Sequence, residues 1–239
     1  MPTLEITTLI GCPNKCEYCP QDVLLKKYKG SKLMSFEDFR KILENVPFNV
    51  QIDFSGFSEP FYNPESSRMM RYALERGYRT VLYTTLGGFN QQHADTLRGL
   101  HFNDLVFHIY KGIDIDQYNR NKILFESNIH PANRVAILNS EYGIVNTPVW
   151  SRAGNVFGTM PQKGKFRCAF AGKLFDHNVV LPNGDVYLCC QDYALKHKIG
   201  NLFETYYYDL DRSSIVKLSN QEESDCICRR CEICQILDK

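Results

Sequence analysis

The chain has 239 residues, 44% of them hydrophobic and 23% charged, with a net charge of +1 at pH 7. These are globular values, for a chain long enough to bury a barrel-sized core plus an appendage, and they exclude the disordered class. A near-neutral balance gives no electrostatic footprint for nucleic acid or anionic lipid, so neither is expected as a partner. No apolar run approaches the roughly 20 residues of a membrane helix. The first residues, MPTLEITTLI, lack the basic region and cleavage site of a signal peptide, and the expected location is cytoplasmic.

The elements follow one another in a regular alternation. LEITTLI reads as a first strand, with a Gly-Cys-Pro loop directly after it. SFEDFRKILENV opens on a capping-box-like pair, Ser35 and Asp38, and spaces Phe36, Phe39, Ile42 and Leu43 helically. VQIDFSGF is a strand running into a glycine turn. NPESSRMMRYALERGY is a helix with Pro64 near its first position. TVLYTT is a third strand, followed by GGFN and the helix QQHADTLRGL. DLVFHIY is a fourth strand, with DIDQYNRNKILFESN as its helix; RVAIL is a fifth and GIVNTPV a sixth.

Strand–helix alternation with connections of this length predicts a parallel sheet with crossover helices. Five or six units in some 150 residues fall short of an eight-unit barrel, so an incomplete barrel fits, as does an open doubly wound sheet. In either, ligands sit at the carboxyl ends of the strands. The cysteine loop, SGFSEP and TTLGG all follow strand ends and are expected on one rim. A boundary is expected around GTMPQKGK, dividing the chain into residues 1–160 and 161–239.

Ten cysteines in a cytosolic-looking chain point to metal or catalysis rather than disulfides. Cys12, Cys16 and Cys19 lie at the start; Cys168, Cys189, Cys190, Cys226, Cys228, Cys231 and Cys234 lie near the end, with none between. Three thiols are too few for a closed structural zinc site, which takes four ligands. A cube of four irons held by three thiolates keeps one iron free for another ligand. The alternatives are half of a zinc knot completed from the tail, or thiols without a metal.

The spacing C-x3-C-x2-C after a first strand resembles the radical S-adenosylmethionine (radical SAM) superfamily. SGFSEP resembles that family's Gly-Gly-Glu-Pro motif, with Gly56 and Glu59 kept and Ser58 in place of the usual glycine. The resemblance implies that Cys12, Cys16 and Cys19 hold a 4Fe–4S cluster whose open iron takes the amine and carboxylate of S-adenosylmethionine. It places Tyr18 beside the adenine, gives Gly56, Ser58 and Glu59 the methionyl amino group, and sets His108 near the ribose. TTLGG stands where relatives have a Thr-Asn-Gly turn and lacks the Asn. The implied fold is α/β, a partial (β/α)6-type TIM barrel. A reduced flavodoxin or ferredoxin is the implied electron donor.

The tail adds a second pattern. VVLPNGDVYLCC is a hairpin signal, with β-branched runs on both sides of Asn183-Gly184. With Cys168 before it and C-x2-C pairs after it, the tail resembles the SPASM auxiliary-cluster module in its shorter twitch form. Residues 161–239 would then be a small cysteine-rich twitch domain with a β-hairpin. The resemblance implies a second 4Fe–4S cluster on Cys168, Cys189, Cys228 and Cys231; Cys190, Cys226 and Cys234 are left over, and a swap among neighbours stays open. A zinc ribbon made of the same four residues is the bland alternative.

A fully ligated second cluster suits electron traffic, and alcohol oxidation after hydrogen abstraction releases one electron to it. The overall pattern resembles the 2-deoxy-scyllo-inosamine dehydrogenases, and WSRAGN makes Arg152 the candidate for gripping a substrate hydroxyl. The expectation is a radical SAM oxidoreductase acting on a small sugar or aminocyclitol. Epimerisation by the same chemistry, modification of a ribosomal peptide, and a metal-stabilised binding module without catalysis are the other readings.

Overall fold

The computed structural model describes residues 1–130, 132–139 and 151–237. One eight-stranded sheet runs through it. Five strands, β1 (Thr3–Ile6), β2 (Gln51–Phe54), β3 (Thr80–Thr84), β4 (Asp104–Ile109) and β5 (Arg134–Asn139), lie side by side in chain order and all parallel. Helices connect them: α1 (Gln21–Lys27) and α2 (Phe36–Glu44) between β1 and β2, α3 (Ser66–Glu75), α4 (Gln91–Leu97) and α5 (Ile115–Glu126) after β2, β3 and β4. The expected sixth strand, at 143–149, lies outside the described residues.

Local chemistry explains the boundaries. Ser35 Oγ accepts from the Asp38 N–H at 3.0 Å and donates to the Asp38 carboxylate at 2.7 Å, so the predicted box starts α2. Asp114 caps α5 through the Asp116 and Gln117 amides, and Asn90 caps α4 through the His93 amide. Helix α3 begins two residues later than the proline signal implied: Glu65 is its N-cap, and Pro64 belongs to the preceding turn. There Asn63 is fully engaged, its Nδ2 donating to the Thr8 and Met34 carbonyls at 2.8 Å each.

The strands alternate strictly between two faces. Leu4, Ile6, Ile52, Phe54, Leu82 and Phe107 point towards the helices and meet Phe39, Ile42, Met69, Met70, Leu97 and Phe125 in one buried core. Glu5, Asp53, Ser55, Tyr83 and His108 occupy the other, concave face, where a cavity opens.

The tail extends the same sheet rather than standing apart from it. β7 (His177–Val180) pairs parallel with the free edge of β1, in the register Thr3↔His177 to Ile6↔Val180. The predicted hairpin follows: β7 is antiparallel to β8 (Asp185–Tyr187), with Gly184 in the left-handed region at φ +79°, and β9 (Lys198–Asn201) completes the edge. Tyr207 fixes the junction by donating to the Asp176 carbonyl at 2.9 Å and the Thr3 carbonyl at 3.3 Å. A short helix, α6 (Ser213–Ser219), precedes the last cysteines. A separate ribbon pairs β6 (Phe166–Cys168) with β10 (Cys234–Ile236), setting Cys234 opposite Cys168.

Arg229, in the 3-10 turn 227–230, is 2% exposed. Its guanidinium donates to the carbonyls of Gln162 and Gly164, at 2.8 and 2.9 Å, and to the Gln221 carbonyl, and it lies 4.9 Å from the Phe166 ring centroid. It is the internal strut that shapes the loops around Cys228 and Cys231. Arg229→Ala should leave those carbonyls enclosed without donors and cost roughly 2–4 kcal/mol of stability, read as a lower midpoint in urea unfolding.

Candidate active site

The cysteine loop is stitched to the strand ends. The Glu59 N–H lies 3.4 Å from Cys12 Sγ, tying the loop after β1 to the loop after β2. Asn14 donates to Thr85 Oγ1 at 2.9 Å and accepts from Tyr62 at 3.1 Å, fixing the middle of the loop to the end of β3. Cys19 Sγ is 3.5 Å from both the Tyr193 hydroxyl and Gln21 Nε2, a first link to the tail. Burial pushes the Cys12 thiol up to about 11 and Cys16 up to about 12. Thiols so enclosed stay protonated at neutral pH and are poor nucleophiles, and a metal centre is what would hold them as thiolates.

SGFSEP forms a tight cradle. Gly56 adopts φ +67°, and a Cβ there would stand 2.3 Å from Thr7 Oγ1. Its N–H donates to Glu5 Oε2 at 3.1 Å, and the Phe57 N–H donates to Thr7 Oγ1 at 3.2 Å. Ser58 keeps its hydroxyl in the cavity wall, enclosed and with no partner among the described residues. The Glu59 carboxylate is hydrogen-bonded through both oxygens. Oε1 accepts from the Thr84 hydroxyl (2.7 Å) and the Phe61 N–H (3.3 Å), and Oε2 from the Thr85 N–H (2.6 Å) and hydroxyl (2.8 Å). These donors from Phe61, Thr84 and Thr85 clamp the loop after β2 to the end of β3.

His108 lies on the cavity face of β4, its ring edge-to-face with Tyr83 at 6.0 Å, and its Nε2 is enclosed without a partner among the described residues. Burial, with a contribution from Arg152, pulls it down to about 4, so the imidazole is neutral. Tyr18 also lines the cavity, beneath the Arg152 guanidinium at 5.7 Å. Arg152 stands in a run of left-handed residues, Arg152 at φ +53°, Ala153 at +51° and Gly154 at +83°. Two non-glycine residues in that region store strain that the surrounding contacts hold in place: Ser151 N–H on Glu232 at 2.7 Å, and Asn155 Nδ2 on the Arg152 and Gln191 carbonyls. Arg152 Nε donates to the Tyr18 carbonyl at 3.4 Å, and the residue lines the cavity.

The tail brings its thiols to the same place. One cavity of about 480 Å³ is lined by Cys12, Cys16 and Cys19 together with Cys168, Cys189, Cys228 and Cys231. Its size is that of a small-molecule site. Cys190 and Cys234 also reach it, while Cys226 does not. Cys234 faces Cys168 across the β6–β10 ribbon, so it competes on position with the four expected ligands. Among the described residues no three His, Cys, Asp or Glu side chains converge on a point for one ion. The donor set, the glycine cradle and the unpartnered Ser58 and His108 atoms fit an iron–sulfur cluster with a polar organic ligand beside it.

Residues 6–142 match the family model of the Radical SAM superfamily, and residues 168–232 match SPASM, an iron–sulfur cluster-binding domain. The chain belongs to the radical SAM superfamily. Its cofactors are accordingly a 4Fe–4S cluster and S-adenosylmethionine, with an auxiliary iron–sulfur cluster in the SPASM region. Among solved structures, BtrN in complex with AdoMet and 2-DOIA is 17% identical with a TM-score of 0.67, over 98% of this chain and 92% of BtrN. SuiB of Streptococcus suis bound to precursor peptide SuiA is 13% identical with a TM-score of 0.61, over 97% of this chain and 69% of SuiB. The protein anSMEcpe with bound AdoMet is 14% identical with a TM-score of 0.55, over 96% and 83%. At such identities the likeness is one of fold. No curated protein sequence matches.

Sequence reasoning passed over Thr84 and Thr85 as the clamp on Glu59, and over Glu5, Asp53 and His177 on the cavity floor. The last group did leave a signal: LEITT and VQIDF each carry an acid at the polar phase of a buried strand. Glu59→Gln should turn one acceptor oxygen into a donor facing the Thr84 or Thr85 donors. The expected cost is about 1–3 kcal/mol in the loop, seen as S-adenosylmethionine affinity reduced by roughly tenfold or more in equilibrium dialysis of the reconstituted protein.

Proposed function

We propose that the protein is an oxidoreductase that dehydrogenates an alcohol on a small polyhydroxylated substrate of the sugar or aminocyclitol class. Its core would be residues 1–160 and its auxiliary domain residues 161–239. The observation that carries this is the shared cavity: thiols from both ends of the chain line one space of small-molecule size. When loaded, the centre on Cys12, Cys16 and Cys19 with S-adenosylmethionine supplies a hydrogen-abstracting radical, and that on Cys168, Cys189, Cys228 and Cys231 an electron acceptor. The fold shared with BtrN, crystallised with 2-DOIA, supports the substrate class.

The chain's own residues bind, orient and keep water out. Gly56 gives the loop after β2 its close approach to β1, and Glu59 pins that loop to β3. Ser58 and His108 offer unpartnered polar atoms to the nucleotide ligand. Tyr18 supports Arg152, whose terminal nitrogens grip a substrate hydroxyl by fixed, charged donors. Phe170, Phe175 and Leu188 supply apolar wall on the tail side. A reduced flavodoxin or ferredoxin is the proposed source of the first electron.

The test is anaerobic reconstitution, reduction and product analysis. Wild-type protein should convert S-adenosylmethionine to 5′-deoxyadenosine and give a carbonyl product two electrons more oxidised than the substrate. Cys16→Ala should abolish cleavage. Cys228→Ala should retain some cleavage but form no product; full turnover by that variant would remove the auxiliary centre from the reaction. An epimer carrying one solvent deuterium would instead assign the chemistry to hydrogen return, with Cys190 in the cavity wall as the donor to examine.

A further inference from the structure

The cavity floor holds a charge arrangement that the reaction described above does not use. The register of β1 against β2 sets Glu5 beside Asp53. Both side chains stand on the cavity face, at 6% and 2% exposure. Neighbouring buried carboxylates oppose folding unless something answers their charge.

Glu5 is answered within the protein. Its Oε1 accepts from His177 Nε2 at 2.8 Å, and its Oε2 accepts from the Ser55 hydroxyl at 3.0 Å and the Gly56 N–H at 3.1 Å. Burial pushes Glu5 up, but the His177 hydrogen bond and charge outweigh it and hold the carboxyl below its ordinary value. Asp53 has no cation in hydrogen-bond contact among the described residues; the charges of His177 and, more weakly, Arg79 reach it only through space. Gln51 donates to its Oδ1 at 2.7 Å, and among the described residues its Oδ2 receives no donor. The nearest guanidinium, Arg79, is spent elsewhere, with Nη2 on Asp104 at 2.7 Å and Nε on Gln51 at 2.8 Å. Burial first, and then the charge of Glu5, push Asp53 up to about 7. A positive group arriving from the cavity would reverse that.

Two further observations say what kind of group it is. Glu5, Asp53 and His177 do not converge on a point for a metal ion. On the same wall, His108 keeps Nε2 enclosed and unpartnered, with Tyr83 on the strand between it and Asp53. The floor thus offers one carboxylate oxygen with no hydrogen-bond donor, with the His177 charge engaged on Glu5 and with the neutral His108 and Tyr83 beside it.

We propose that Asp53 recognises a protonated amine of the substrate, which makes that substrate an aminated polyol rather than a neutral sugar. The assignment rests on the function proposed above and narrows it. The ammonium pairs with Asp53 Oδ2 and offsets the repulsion from Glu5, while hydroxyl groups meet His108 and Tyr83. A hydroxyl in the amine's place would donate a hydrogen bond but bring no charge.

Calorimetry on the reconstituted holoenzyme with S-adenosylmethionine bound tests this with matched pairs differing only in an amine or a hydroxyl. Glucosamine is set against glucose, and 2-deoxy-scyllo-inosamine against its hydroxyl counterpart. At least one amine should bind about tenfold or more tightly than its partner, and Asp53→Asn should weaken that amine about thirtyfold and erase the preference. No preference for any amine in the wild type, or a preference kept in Asp53→Asn, overturns the proposal. The wild-type pairs decide it even where the variant fails to fold. Reduced wild-type enzyme that forms 5′-deoxyadenosine while treating the pairs alike sinks the amine site and spares the radical chemistry. Protein that forms none sinks both.

Discussion

The parallel pairing of β7 with β1 is the constraint on which the arrangement depends. β1 carries the first cysteine loop at its carboxyl end, and β7 leads through its hairpin to Cys189 and Cys190. The two strands run in the same direction in adjacent positions, and β8 then returns antiparallel with Tyr187 opposite Val179, so Cys189 and Cys190 come back alongside the first residues of β7 and β1. The Thr7 N–H to Val180 carbonyl bond at 3.0 Å carries the pairing up to the carboxyl end of β1, and Tyr207 closes its opposite end. Thiols separated by most of the sequence thereby come to line a single cavity.

What makes that space hollow is the polarity of the concave face. A barrel interior lined by branched aliphatics fills itself; here the inward positions are Glu5, Asp53, Ser55, Tyr83 and His108. These groups want hydrogen-bonding partners that apolar packing does not supply, and only some find them inside the protein. The hydrophobic work of folding is done on the helix side, by the cluster around Phe39, Phe54, Met69, Phe107 and Phe125. Stability and chemistry are therefore assigned to opposite faces of the same strands. The strained turn at Arg152 and the side-by-side acids of β1 and β2 are local departures from the most stable choice, and both border the cavity.

Much of this was legible in the residues. Period-two strands, capped helices and the Asn183-Gly184 turn declared β1 to β5, α2 to α5 and the hairpin, because each is fixed by local chemistry. The family-specific cysteine spacings pointed to the cofactors. Helix α1 escaped notice because it is seven residues long, buries Leu24 alone and follows a proline-rich loop. The ribbon of β6 and β10 has three residues per strand and no alternation of its own, so its pairing comes from tertiary contact. The partners of Glu59 were hidden for a related reason: its motif names the residue, but only the fold brings Thr84 and Thr85 to its oxygens. Nor does any local pattern say that the hairpin joins the edge of β1 instead of forming its own sheet.

The order of the strands has a consequence for biosynthesis. One edge of β1 is satisfied early, by β2, whereas its other edge waits for residues 177–180 to be made. Until the ribosome has delivered them, the nascent chain displays an open row of amides and carbonyls beside a polar hollow. Contacts this far apart along the polypeptide form slowly, and an open edge invites pairing with a neighbouring molecule. Completion of the sheet is thus tied to residues 177–180, which are made after Cys168 but before Cys189, Cys228 and Cys231, so that edge can close before most of the later thiols exist.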